Sequence, residues 1–138
     1  MVNIKGKKSY AIIDDALTIL ENLKHRGAEG ADAQSGDGAG ILVQIPHEFF
    51  KRECGVLGFS LPKAGDYGVG MIFAHRYDNY RQQQMQAFAK IVREEGLEIL
   101  GWREVPIDES LIGSIAETVR PSFWQVFIKK NSKIKNQM

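Results

Sequence analysis

The sequence predicts a mixed fold in which helices and strands alternate within one domain of 138 residues. Apolar residues recur with helical spacing in some segments, and short runs rich in β-branched and aromatic residues lie between them. Three helix-bearing connections join the predicted strands, which favours an α/β protein with parallel strand pairing. A layered α+β sandwich gives the same order of elements, so periodicity leaves both architectures open.

The first predicted helix begins after Ser9, whose hydroxyl suits an N-cap. Apolar residues then recur along one helical face, at Ile13, Ala16, Leu17, Leu20 and Leu23. The segment 25–27 (HRG) is expected to stop this helix.

A glycine-rich segment follows, with five glycines between His25 and Gly40. Glycine permits positive φ values and close backbone approach, at an entropic cost on folding. This concentration therefore indicates a loop with a defined shape. Residues 41–45 (ILVQI) are predicted to form a strand that Pro46 ends.

The remaining sequence predicts three more helices and three more strands. Pro46 is predicted as the first residue of the second helix, with Phe49, Phe50 and Glu53 along its buried side. Asp78 and Asp108 are predicted as N-caps. The predicted segments are a helix over 46–54, a strand over 67–74, a helix from 78 to before 96, a strand over 97–105, a helix over 108–118 and a strand over 122–129.

Composition narrows the class of function. Eighteen basic and seventeen acidic residues give a net charge of +1, which does not favour nucleic acid or an anionic membrane as a partner. No apolar run is long enough to span a bilayer, and a signal-peptide pattern is missing. A single cysteine excludes an internal disulfide and a multi-cysteine metal site. These features predict a cytoplasmic location.

The glycines at positions 36, 38 and 40 resemble a dinucleotide-binding fingerprint, but their context differs. That fingerprint requires a strand before the glycines and a helix after them, so that phosphates meet free backbone N–H groups. Here a predicted helix precedes them and a predicted strand follows. The sequence therefore argues against nucleotide binding.

Histidine and cysteine chemistry is not favoured either. His25, His47 and His75 are scattered without metal-ligand spacing, which predicts surface or capping roles and no metal site. Cys54 falls late in a predicted helix, where a free cysteine is typically a small buried hydrophobic residue. An enzyme that uses Cys54 in an unrelated reaction remains a third hypothesis.

The motifs HRGAEGAD, GDGAGIL and IPHEFF together resemble the N-terminal glutaminase domain of the glutamate synthase large subunit, a class II glutamine amidotransferase. The similarity continues through LPKAGDYGVGMIF, EGLEILGWREVP and WQVFI, in the family's order, over residues 3–130. It implies an α+β fold, an N-terminal-nucleophile (Ntn) hydrolase-type αββα sandwich that is incomplete at both ends. Residues 1–130 would be a partial amidotransferase domain and residues 131–138 a polar C-terminal tail.

The resemblance implies glutamine hydrolysis by an N-terminal cysteine. Its thiolate attacks the side-chain amide, and the α-amino group, with a pKa of about 7.7–8.0, accepts the thiol proton. The ammonia would pass to another domain that makes glutamate from 2-oxoglutarate. That parent enzyme would use FMN, an iron–sulfur cluster and NAD(P)H or ferredoxin, and no cofactor is expected in the domain itself.

The resemblance also assigns supporting residues. Arg26 is predicted to support the site by holding the N-terminal turn and adding positive potential, with a purely architectural hydrogen-bonding role as the alternative. Gly27, Asp37 and Gly38 complete this set, and Asp37 is predicted to order the loop. No catalytic residue is predicted, because the sequence starts Met1-Val2-Asn3 where the family carries a CGVGF strand. Cys54 has no adjacent α-amino group and cannot replace that cysteine.

These features lead to a hypothesis of a glutaminase-domain fragment that is inactive alone. The alternative is a non-catalytic interaction or regulatory module derived from an amidotransferase domain. Expected partners are glutamine as the family substrate and other glutamate synthase domains or subunits. A homodimer could form through the open face of the sandwich.

Overall fold

The computed structural model describes residues 4–23 and 38–131. None of the helices in these two ranges combines the length and apolar character that crossing a bilayer requires. The helices are α1 (Tyr10–Asn22), α2 (His47–Val56), α3 (Asp78–Glu94) and α4 (Ser114–Val119), with a 3₁₀ turn at Glu109–Leu111, and the strands are β1 (Tyr67–Ala74), β2 (Glu98–Glu104) and β3 (Ser122–Lys129).

The described residues belong to two compact units. The first takes residues 4–23, 38–44 and 108–119, and the second takes residues 45–107 and 120–131. The first unit contains α1, the 3₁₀ turn and α4. The second contains α2, α3 and all three strands.

Helix α1 confirms the predicted start but not a buried face. The Ser9 hydroxyl accepts a hydrogen bond from the Ala11 backbone N–H at 3.2 Å, as an N-cap does. No residue of α1 is buried, and Leu17 and Leu23 on the predicted stripe are both exposed. The predicted stop at residues 25–27 lies outside the described residues.

The strand predicted over residues 41–45 is wrong. This segment forms neither helix nor strand, and Leu42 is fully exposed. A β-prone run becomes a strand only where another strand supplies backbone partners. No described strand pairs with it.

The helix predicted over 108–118 divides into two pieces. Asp108 does cap the first piece, because its carboxylate accepts hydrogen bonds from the backbone N–H and the hydroxyl of Ser110. These bonds lower the pKa of Asp108. Ile112 has extended backbone at φ −85° and ψ 129°, which ends the 3₁₀ turn before α4 begins.

Two other helix starts differ from prediction by one residue. Pro46 is the N-cap of α2 rather than its first residue, because its ψ of 79° is not helical. Asp78 is the first residue of α3, and Tyr77 is the N-cap. Asp78 instead forms an ion pair with Arg81 one turn further on.

The sheet has the strand order β1-β3-β2, and both neighbouring pairs are antiparallel. β1 and β3 pair along their full lengths, from Tyr67 opposite Lys129 to Ala74 opposite Ser122. Since β1 and β2 both run opposite to β3, they run parallel to each other, and α3 joins them across the position that β3 fills. The alternation of elements therefore reflects a split β-α-β unit, not a sheet of parallel neighbours.

The sheet of the second unit carries a helix on each face. Val126 and Phe127 are successive, fully buried residues of β3, so their side chains point to opposite faces. Phe127 lies in a cluster with Phe50 and Cys54 of α2. On α3, Phe88 meets Trp102 of β2 edge to face at 5.6 Å.

Candidate functional site

The structure describes one of the four predicted supporting residues. Arg26, Gly27 and Asp37 lie outside the described residues. Gly38 is exposed in irregular backbone, and a Cβ built on it would meet no heavy atom within 4 Å. Its φ is outside the positive range, so the surroundings described here do not themselves require glycine at this position.

The described part of the glycine-rich segment leads directly into α2. Residues 38–46 connect Gly38 to His47, the first residue of that helix. The position of α2 therefore sets where Ile45 and Pro46 lie in the second unit.

Helix α2 is held on the sheet by aromatic packing. Phe50 and Cys54 point inward, and both belong to a buried cluster with Tyr67 and Phe127. The Phe50 and Phe127 rings meet edge to face with their centroids 5.1 Å apart, a favoured geometry for aromatic pairs. The prediction that Phe50 faces inward is confirmed, whereas Phe49 beside it is exposed.

Cys54 is a core residue. Its side chain is 0% exposed, and burial raises the pKa of the thiol, with Arg103 acting in the opposite direction and Glu53 adding to the rise. A protonated, enclosed thiol is neither a nucleophile nor a metal ligand. The predicted structural role of Cys54 is in agreement with this environment.

His47 makes a contact that the sequence did not predict. Its Nδ1 lies 3.0 Å from the hydroxyl of Tyr67, the first residue of β1. Tyr67 is buried, and its pKa is raised by burial first and by Cys54 and Glu48 next. The predicted surface or capping role for His47 is therefore incomplete, because the side chain satisfies a buried phenol.

A second polar contact joins α2 to the sheet. Arg103 of β2 is 8% exposed, and its Nη2 donates to Glu53 Oε2 at 2.9 Å while its Nη1 donates to Gln125 Oε1 at 3.1 Å. The guanidinium also lies 5.4 Å from the centre of the Phe49 ring. Sequence reasoning missed Arg103; the signal is a basic residue within a predicted strand, opposite a helix position already assigned to the buried side.

The described residues contain no cluster suited to a metal ion. No group of three or more histidine, cysteine, aspartate or glutamate side chains converges in residues 4–23 and 38–131. His75, directly after β1, accepts a hydrogen bond at its Nδ1 from the Tyr77 backbone N–H at 3.1 Å. This local contact fits the capping role predicted for it.

An open groove of about 500 Å³ lies at the start of β1. Its floor is largely glycine backbone and aliphatic side chain, with basic residues at the rim, and Lys129 there is paired with Glu98 at 2.9 Å. Gly38, the one predicted site residue that the structure describes, is not among the residues that line the groove.

Comparison with known proteins extends beyond the described residues. Residues 1–138 match the family model for class-II glutamine amidotransferases. The chain is 39% identical over 136 residues to a glutamate synthase [NADPH] large chain of Bacillus subtilis, covering 99% of this chain and 9% of that protein. It is 41% identical over 123 residues to a glutamate synthase [NADH] of Schizosaccharomyces pombe, covering 89% of this chain and 6% of the relative. A ferredoxin-dependent glutamate synthase 2 of Arabidopsis thaliana is 37% identical over 136 residues, covering 97% of this chain and 8% of that protein.

Proposed function

This chain belongs to the class-II glutamine amidotransferase family, and on that premise we propose that it serves in the glutamine-hydrolysing region of a glutamate synthase. The observation that carries the proposal is the match of nearly the whole chain to glutamate synthases of a bacterium, a yeast and a plant. The resemblance inferred from the motifs is confirmed at the level of the family. The chain spans 6–9% of the length of these relatives, so the complete synthase reaction is part of the proposal.

In this proposal the reaction is hydrolysis of the glutamine side-chain amide to glutamate and ammonia. An N-terminal cysteine of the family type supplies the thiolate, and water releases glutamate from the acyl-enzyme. Arg26 would add positive potential beside the thiolate and the developing oxyanion. Gly27, Asp37 and Gly38 would shape the loop that carries it.

We propose that the 138-residue chain does not hydrolyse glutamine by itself. Its one cysteine, Cys54, is enclosed in the core, and burial raises the pKa of its thiol. Cys54 lies inside α2 and therefore has no α-amino group of its own to act as the base. Both requirements for the proposed chemistry are thus unmet at this residue.

We further propose the Ntn-type αββα sandwich as the complete fold. The exposed apolar residues of the sheet support it, because Met71 is 50% and Phe73 66% exposed on the face that carries α2. Phe73 packs edge to face on Phe123 at 5.3 Å, which makes this surface contiguous. A second sheet, another glutamate synthase segment or, for the isolated chain, a second copy would cover it.

The proposed cofactors belong elsewhere in the parent enzyme. An iron–sulfur cluster requires several cysteine thiolates, whereas this chain contributes the single, buried Cys54. FMN and the electron donor, NAD(P)H or ferredoxin, would act in the same separate region. The cytoplasmic location stays a prediction.

The proposal is tested by segment exchange. The matched segment of the Bacillus subtilis large chain is replaced by the corresponding residues of this chain, and glutamine hydrolysis is measured alongside gel filtration and circular dichroism. We expect glutamine hydrolysis within about tenfold of the parent, a barrier change of roughly 1.4 kcal/mol. The same exchange with Cys54→Ala should be equally active, and the isolated 138-residue chain should release no glutamate above the blank.

A folded exchange protein without glutamine hydrolysis would contradict the enzymatic proposal. If the isolated chain then still bound a glutamate synthase, the alternative of a non-catalytic interaction module would be favoured. The exposed Met71 and Phe73 are the observation that supports that alternative. Turnover by the isolated chain that disappears in Cys54→Ala would support the third hypothesis.

A further inference from the structure

We propose that α2 is held on the sheet by a two-point polar clamp and that this clamp positions Ile45 and Pro46, the two residues that lead into the helix. The first point is the His47–Tyr67 hydrogen bond, and the second is the Glu53–Arg103 ion pair. The four side chains act as positioning residues, since none of them is required to touch glutamine. A role for the clamp in glutamine hydrolysis rests on the proposed function, whereas the two contacts that form the clamp do not depend on it.

The two contacts act at different turns of α2. His47 is its first residue and Glu53 lies almost two turns later, so a helix held at both points resists tilting as well as sliding. Their partners are on different strands, Tyr67 on β1 and Arg103 on β2, the two edges of the sheet. Residues on opposite sheet edges therefore fix one helix.

The second point also has a strong electrostatic reason to remain closed. Arg103 is almost fully buried, and its guanidinium is satisfied by Glu53 and Gln125 together. Withdrawal of the Glu53 carboxylate would leave a buried positive charge without a counterion, which is far more costly than the loss of an exposed pair. Opening of α2 is thus opposed by the separation of a buried charge from its counterion.

The clamp acts on the residues that precede α2 through the chain itself. Residues 38–46 form no helix or strand, and Ile45 and Pro46 connect directly to His47 at the first clamp point. Fixing His47 on Tyr67 fixes where Ile45 and Pro46 lie in the second unit. The positions of these two residues are therefore set by side chains that the glycine motif does not contain.

Alkylation of Cys54 measures clamp opening, because the single thiol is enclosed between α2 and the sheet. Iodoacetamide labelling of the 138-residue chain is followed by mass spectrometry at fixed pH. We expect Tyr67→Phe to speed labelling about threefold to tenfold and Glu53→Gln at least about tenfold. Glu53→Asp, which keeps the charge, should restore slow labelling in part. Tyr77→Phe and Glu98→Gln, which alter an exposed tyrosine and the exposed ion pair to Lys129, should label at the wild-type rate.

Urea separates clamp opening from general destabilisation. Local opening exposes little surface, so the faster labelling of the variants should depend weakly on urea, whereas global unfolding depends on it steeply. Steep urea dependence, or wild-type rates in both Tyr67→Phe and Glu53→Gln, would overturn the clamp. Glu53→Gln removes no buried apolar group, so it remains a test if Tyr67→Phe does not fold.

A nitroxide spin label tests the positioning claim. Both labelled variants have a Cys54→Ala background. The label is attached through Ile45→Cys at an exposed position in one variant, and through Met71→Cys on β1 in the control variant. Adding Glu53→Gln should raise label mobility at position 45 and leave position 71 unchanged. Unchanged mobility at 45 would overturn positioning even if the labelling result held. Neither experiment measures glutamine turnover, so failure of the clamp is distinguishable from failure of the proposed function.

Discussion

The ring of Phe59 occupies the space in which a side chain at Gly101 would begin. A Cβ built on Gly101 would come within 2.6 Å of Phe59 Cδ1 and Cε1. β2 also shifts register between Ile99 and Gly101, as at a β-bulge. Phe59 in turn packs against Phe127 at 5.6 Å, which links this glycine to the core.

Gly101→Ala should lower the free energy of unfolding by about 1–3 kcal/mol, the usual cost of overpacking. The methyl group must displace the Phe59 ring or the bulged strand, and neither can move without disturbing Phe127. Urea unfolding followed by circular dichroism measures the change.

Gly68→Ala is the matched control for this prediction. A Cβ at Gly68 would meet no heavy atom within 4 Å, and its φ is not positive, so the substitution should change stability by less than about 0.5 kcal/mol. Equal losses in both variants would show that glycine in these strands, and not contact with Phe59, determines the effect.

Phe127→Ala should be far more destabilising than Phe73→Ala. Phe127 is fully buried and contacts the rings of Phe50, Phe59 and Tyr67, so its truncation should cost about 3–5 kcal/mol. Phe73 sits on the exposed part of the same face and should cost under about 1 kcal/mol in the isolated chain. Thermal unfolding of both variants provides the comparison, and a large loss for Phe73→Ala would reveal that a second copy already covers that surface.

Stability should fall at alkaline pH. Burial raises the pKa values of Cys54 and Tyr67 above their ordinary values of 9.0 and 10.0, so the unfolded chain releases these protons before the folded chain does. The stabilisation is complete below pH 9 and is lost as the pH rises through the folded-state values, by at most about 1.4 kcal/mol per pH unit and group.

Urea unfolding between pH 7.5 and 10.5 tests this titration. Tyr67→Phe and Cys54→Ala should each have a flatter pH dependence than the wild type, whatever their stability at neutral pH. An unchanged slope in both variants would assign the alkaline loss to other groups.

Arg26 should matter for glutamine hydrolysis in the segment-exchange protein. Arg26→Ala should lower kcat/KM at least about tenfold if the guanidinium supports the thiolate site. Arg26→Lys keeps the charge but loses the planar fork of donors, so it should recover part of the activity if positive potential is the main contribution. Arg93→Ala, at an exposed position on α3 where the side chain bonds to the Ala89 carbonyl, is the control. Full activity of Arg26→Ala would leave only an architectural role for this residue.

Local sequence patterns predicted several elements with accurate bounds. The strands over 67–74 and 122–129 were predicted to the residue, because breakers or polar residues bound short β-prone runs on both sides. Residues 41–45 have equally strong strand propensity and yet form no strand. The difference is the availability of a pairing partner, which propensity does not contain.

The candidate site shows the same division between features that local sequence predicts and features that depend on distant partners. The motifs around Arg26 and Asp37 were sufficient to place the chain in its family, although these residues lie outside the described ranges. His47 and Arg103 drew no functional prediction, since each gains its role from a partner 20 or 50 positions away.

The sequence by itself determined the family, the presence of α1, α2 and α3 and the bounds of β1 and β3, because motifs, caps and apolar spacing are properties of neighbouring residues. Only the tertiary structure decided that β3 lies between β1 and β2 with both pairings antiparallel. It also decided that Cys54 is buried between α2 and the sheet and that Phe59 leaves no room for a side chain at Gly101. These outcomes depend on which distant surfaces meet, and periodicity within a segment does not specify that choice.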